Sequence, residues 1–391
     1  MFPTKKKHKE KIDLVDFIPA PPTAKNTETI HARQIAFAAA FLLPAAKFLE
    51  APSLLARYAK GDLLFPAVLH FLVQALVLLG VLYAASQSEK SLLERLQNAL
   101  GKGIYVVYVL YAAYFLFAAV LPLLDMEKFV YAAFFDTAPT AFSFAAFFFF
   151  AAFACVKGVK SIGRSADLCL FLFLLPFCVL MIMSLTNADF SNLMPFFGTP
   201  LEGSVQAFSR TAPHFSDAVL LLPLIANLRY KKNDGVKITI GYASGAVFTL
   251  FFLAVFFSIY GSIAPREHYA FSKVAQYFPA LAVVGRIDLV FIYLLSVVLL
   301  FYTCWPLQYT ADLLAKSFST KRKTFISAIL SLALLFAVLF LNRFYDGFYA
   351  TITGKLPFVF WLIADMLPLF LLFLPKNPNS NTPIKKEKRY A

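Results

Sequence analysis

The sequence predicts an all-α polytopic membrane protein, and three observations carry that prediction. Apolar residues make up 60% of the 391-residue chain and charged residues 15%, with a mean hydropathy of +0.70, far from the balance of water-soluble domains. Ten apolar runs approach or exceed the roughly 20 residues a helix needs to cross about 30 Å of hydrocarbon. The first and sixth of these runs are broken by proline at corresponding places, Pro44 to Pro52 and Ala212-Pro213-His214-Phe215-Ser216. Proline removes an amide donor and clashes with the preceding turn, and lipid cannot pair the backbone groups this frees. Such breaks are tolerated only against protein or a water-filled cavity, and a matched pair in two halves of a chain points to a transporter-type binding site.

In chain order, residues 1–29 are polar and lack an apolar signal-peptide core, so no cleavable signal is expected and the segment is placed in the cytoplasm. It reads either as a solvated tail ending in Pro19-Ala20-Pro21-Pro22 or, through Lys5-Lys6-Lys7-His8-Lys9 and the apolar residues after it, as a contact for anionic lipid or a partner protein. A ten-helix domain follows over 30–375. Its first five spans are expected near 30–58, 63–85, 104–124, 140–156 and 167–185. After a polar connection the second five fall near 211–228, 238–263, 287–315, 325–341 and 356–374, and residues 376–391 form a cytoplasmic tail.

The net charge of +14 raises nucleic acid as a partner, but the distribution of the charge argues for the bilayer. Taken on alternate sides of the ten spans, 26 Lys and Arg fall on one side and 9 on the other, with Lys47 inside a span, accounting for all 36. The positive-inside rule then puts both termini in the cytoplasm, in agreement with an even span count. No basic stretch interleaved with aromatics marks a nucleic-acid surface. The four cysteines fall in or beside apolar spans without metal-ligand spacing and read as packing residues. No Walker loop, dinucleotide fingerprint, HExxH or GxSxG motif occurs, so neither an enzyme nor a cofactor is expected.

The spans hold a few costly polar residues. Lys47 and Glu50 are three apart, so on a helix they share a face and can pair with each other. At a break they have a second possibility, Lys47 meeting a ligand carboxylate and Glu50 an amine. His214 either caps a helix start or contacts ligand. Tyr108, Tyr111 and Tyr114 line one face of span three, as packing or as a pocket wall. Phe147 to Phe150 read as lipid- or helix-facing bulk, Arg286 and Asp288 as an interfacial salt bridge, and Asp312 and Asp365 as water-exposed residues near span ends. Ligand is expected between spans one and six, at Ala45, Ala46, Lys47, Glu50, Pro213, His214 and Phe215, with Tyr111 and neighbouring faces of spans three and eight closing the cavity.

A set of short motifs carries a family resemblance through most of the chain. They are His31-Ala32-Arg33-Gln34, Glu50-Ala51-Pro52 with Ala59-Lys60-Gly61-Asp62, Asn192 to Gly198, Phe215-Ser216-Asp217 with Leu222-Pro223, and Tyr277-Phe278-Pro279-Ala280 to Asp288. In these the chain resembles the endospore germination permeases, the membrane-embedded B subunits of nutrient germinant receptors, a branch of the amino acid–polyamine–organocation superfamily. The resemblance implies a LeuT-like fold, ten helices as two inverted five-helix repeats with helices one and six broken. It also implies a small nutrient ligand such as an amino acid, A and C receptor subunits as partners, and the spore inner membrane as location.

Where relatives usually carry a glycine-containing stretch in the first break, this chain has Pro44-Ala45-Ala46 and then Lys47. Lys47 is placed either to bind a carboxylate or to stand where a coupling cation sits. A receptor subunit that signals on binding nutrient and a secondary transporter of amino acids or organic cations both need this cavity, so both readings stand.

Overall fold

The computed structural model describes residues 30–87, 92–134, 159–228, 230–276, 288–318 and 323–373, together with Ala151. Among these residues the chain is helical with no strand; the extended backbone reduces to one parallel bridge, Ile30 to Leu228. The expectations for the two termini, span four, the Phe147 to Phe150 run, Arg286 and most of the Tyr277 to Asp288 motif lie outside the described residues.

Span one is two helices, α1 (Ala32–Lys47) and α2 (Ala51–Asp62), bent by 63°. The break is narrower than the prolines suggest. Helix continues through Pro44, because residues Ala38–Leu42 widen into a π-turn in which the Leu43 amide bonds to Ala38 O, and the looser turn accommodates the proline ring. Only Phe48-Leu49-Glu50 leave the helix, and Pro52 sits in the first turn of α2, where no amide partner is required.

Then follow α3 (Leu64–Ser86), α4 (Leu92–Leu100), α5 (Ile104–Phe134) and α6 (Val159–Ser184). Span six begins earlier than its hydropathy indicates. An amphipathic α7 (Leu201–Thr211) runs into a 3₁₀ turn, Ala212–Phe215, and restarts as α8 (Asp217–Ala226). Next come α9 (Asp234–Tyr260), a short α10 (Ala270–Gln276), α11 (Asp288–Ser317) and α12 (Lys323–Asn342). The last pair, α13 (Tyr345–Gly354) and α14 (Pro357–Phe373), is bent by 60°.

Among the described residues six uninterrupted helices are long and apolar enough to cross a membrane, or eight spans in all if each bent pair counts as one. That is fewer than the ten expected, because predicted span four lies outside the described residues and span six is divided into two short helices. Exposed apolar residues line the outer faces, Leu72, Leu76 and Tyr83 on α3 and Phe171, Leu175 and Ile182 on α6, as lipid contact requires. Cys178 lies exposed on α6 and is not a packing residue, whereas Cys304 is buried.

Two contacts fix the interior. α11 packs along α5, and α1 lies against α9 where Gly241 and Gly245 meet Ala36 and Ala39 backbone to backbone.

Candidate functional site

The two breaks face each other. Lys47, the last residue of α1, and Asp217, the first of α8, form an ion pair of 2.5 Å with side chains 3% and 2% exposed. Lys47 Nζ also donates to Leu43 O at 3.3 Å and lies 5.4 Å from the centre of the Phe215 ring, a cation–π contact. The second Asp217 oxygen accepts from Tyr242 Oη at 3.2 Å. A local Lys47–Glu50 pair is therefore incorrect: the break turns the chain between them, and each acquires a partner far away in sequence.

Backbone groups freed by the breaks are satisfied by protein. α10 presents the unpaired amides of its first turn to the first break, Ala270 N donating to Leu49 O and Phe271 N to Phe48 O, both at 3.0 Å. The Phe48 ring stacks on Phe173, Phe177 and Phe271 and tilts against Phe252, so the break is also packed shut on this side. At the second break Gln74 of α3 accepts from Ala218 N at 2.9 Å and donates to Asp365 at 2.5 Å. Asp365, 5% exposed, is thus a buried network member and not a water-exposed span end. His70 Nε2 lies 2.9 Å from Phe208 O and 3.0 Å from Thr211 Oγ1, and because a carbonyl only accepts, Nε2 carries a proton. Its ring is stacked between Phe208 and Phe215.

Beside this sealed centre lies a charged cavity of about 320 Å³. Glu50, Ser53, Arg57 and Tyr58 come from the break and α2, Arg210 from α7, His268 from the connection to α10, and Tyr345, Asp346 and Tyr349 from α13. Glu50, 4% exposed, pairs with His268 Nδ1 at 2.9 Å. Asp125 of α5 lies within electrostatic reach of Glu50 and accepts from Tyr345 Oη at 2.9 Å. Arg210 stacks over Tyr58, 5.2 Å from its centre. Among the described residues neither Arg57 nor Arg210 is paired with a carboxylate.

Of the site residues expected from sequence, only Glu50 lines this cavity directly. His214 reaches it through a 3.2 Å contact with Tyr349 Oη, so the cap role is not the one it fills. Ala45, Lys47 and Phe215 are buried at the break, with Ala46 and Pro213 partly exposed beside them. Tyr111 is buried and stacked on Phe115 and does not line this cavity, whose remaining wall is α13. Arg57, Arg210, His268 and the α13 tyrosines are the residues the sequence reading misses. An available signal is the i, i+4 placement of Tyr345 and Tyr349 on a short helix before Pro357.

His268 lies outside the spans, and its pKa is raised from 6.5, chiefly by the hydrogen bond to Glu50, with partial burial opposing. A pKa raised by folding contributes stability that is fully present below the unfolded value and is lost as pH rises through the folded one. The thermal midpoint of the chain should therefore fall relative to that of His268→Gln as pH increases from about 6 to 9. The ring is half exposed, so solvent keeps the effect modest. A constant difference between the two proteins across that range would remove the pair from the account.

Helices of spanning length and two broken helices joined by a buried ion pair beside a charged cavity define a multi-pass membrane protein of the permease type. Residues 30–344 match the family described as spore germination protein, and the chain belongs to that germination permease family. The family is receptor- or transporter-like and is not a known enzyme class. A search of curated proteins finds no match.

Proposed function

We propose that the chain is the membrane subunit of a nutrient germinant receptor and binds a small amino acid in the cavity between α2, α7 and α13. The observation that carries this reading is the cavity's polarity: two guanidinium groups without carboxylate partners share it with buried Glu50. A carboxylate would take Arg57 and Arg210, which present the planar donor forks suited to it, and an ammonium group would take Glu50. The volume lies at the small end of ligand pockets, roughly 300–1,000 Å³.

A transporter would need the same cavity and, in addition, a way through the centre beside it. Passage would have to break the Lys47–Asp217 pair and open the ring stack around Phe48. Six uninterrupted helices, two bent pairs, the α7–α8 pair and the apolar run at 140–156 are consistent with ten spans. Occupancy would be passed to A and C subunits in the spore inner membrane, with both termini cytoplasmic.

The test is a panel of amino acids, and the same molecules lacking either the carboxylate or the amine, measured by thermal shift on the purified chain. Ligands with both groups should raise the midpoint. Arg57→Gln or Arg210→Gln should weaken binding about 10- to 150-fold, the cost of one charged hydrogen bond. Equal binding of amines without a carboxylate would refute this pose. Uptake of labelled ligand into proteoliposomes would favour the transporter reading instead.

A further inference from the structure

At the opposite end of the breaks, where the chain enters α1 and α9, two cavities meet. One, of about 430 Å³, is an apolar groove between these helices, lined by Ala36, Ala40, Phe41, Ile240 and Ser244. The other, of about 400 Å³, is lined by Ile30, His31, Leu228, Lys231 and Asp234. Arg33 and Lys237 border both, so polar and apolar spaces join at a pair of cations.

The groove exists because the glycines of α9 let it approach α1 closely and leave no side chain to fill the seam. It opens toward lipid: Val236, Ile240 and Val247 on the adjoining face of α9 are all more than half exposed. The cations are held at its mouth but not neutralised. Arg33 lies over the Phe37 ring at 5.7 Å and stands 3.6 Å from Asp167, while Lys237 stands 3.8 Å from Asp234, both ion pairs longer than a direct hydrogen bond. Their side chains remain 68% and 60% exposed. The Lys231 backbone N–H donates to Asp234 Oδ2 at 3.0 Å, while its ammonium forms no salt bridge among the described residues. Three cations against Asp234 in the lining and Asp167 beside it leave the seam net positive.

We infer that one anionic phospholipid occupies this seam, an acyl chain in the α1–α9 groove and its phosphate between Arg33, Lys237 and Lys231. Basic pockets between membrane helices suit anionic headgroups, and the adjoining apolar groove distinguishes a lipid from a free phosphate. The site lies against the π-turn at Ala38–Leu42, so the lipid would brace the segment of α1 that carries Lys47 to the break.

Native mass spectrometry of the full chain, delipidated and then offered phosphatidylglycerol and phosphatidylcholine in equal amounts, tests this inference. One phosphatidylglycerol should be retained preferentially. Arg33→Gln/Lys231→Gln/Lys237→Gln should weaken its retention tenfold or more. Lys102→Gln/Lys232→Gln, which removes exposed cations outside the seam, should leave it unchanged. Ser244→Phe, which fills the groove while sparing all three cations, should also reduce it. Equal retention of the two lipids, loss in the Lys102/Lys232 variant, or displacement by millimolar glycerol phosphate would each overturn the proposal. None of these outcomes depends on whether an amino acid binds the other cavity.

Discussion

Lys47→Met should lower the stability of the chain by about 3–5 kcal/mol, because it leaves the Asp217 carboxylate buried and unpaired between two broken helices. The loss belongs to Asp217 more than to the missing attraction, since a buried ion pair scarcely exceeds the desolvation of its members. Adding Asp217→Asn should therefore restore most of the stability, the amide oxygen still accepting from Tyr242. Adding Glu50→Gln instead should restore nothing, because Glu50 is partnered by His268. Thermal unfolding of the two double variants in detergent decides the matter. Rescue by Glu50→Gln would return Lys47 to the local pair that its sequence spacing suggests. If Lys47→Met alone unfolds like the unaltered chain, the ion pair does not hold the breaks together.

How far the sequence reveals this arrangement depends on the range of each interaction. The breaks are legible because proline acts locally, on its own amide and the turn before it. Their partners are not. Spacing offers Lys47 only Glu50, whereas the observed pairs join Lys47 to a residue 170 positions away and Glu50 to one 218 away. Arg57 and Arg210 carry no mark in the sequence that links them, and only the meeting of α2 and α7 brings them to one cavity. The α13 wall is hidden by composition: Asp346, Gly347 and Gly354 make Tyr345–Gly354 look like a connection. Asp365 lies at the middle of the span expected at 356–374, so the water-exposed reading is at odds with those bounds. The π-turn that carries it, Leu362–Met366, leaves no strong sequence mark, yet it aims the carboxyl at Gln74.

Gly241→Val should prevent stable folding, with a loss beyond the usual 1–3 kcal/mol of core overpacking. A Cβ at this position would lie 2.4 Å from Ala36 O, 2.7 Å from Ala36 Cα and 2.8 Å from Ala36 C. All three are main-chain atoms, so no rotamer change relieves the clash; α1 and α9 must separate. Separation would pull the π-turn away from its packing and carry Lys47 off Asp217, so the damage spreads from one added side chain to the ion pair at the breaks. Two controls give the prediction its direction. Ala36→Gly should not rescue Gly241→Val, because the obstacle is backbone and not the alanine methyl. Gly347→Ala, where an added Cβ meets nothing within 4 Å, should leave stability within about 0.5 kcal/mol. Accumulation in the membrane and the thermal midpoint of the purified chain measure all three. A Gly241→Val protein that accumulates and melts like the unaltered chain would mean that α1 and α9 do not pack backbone to backbone.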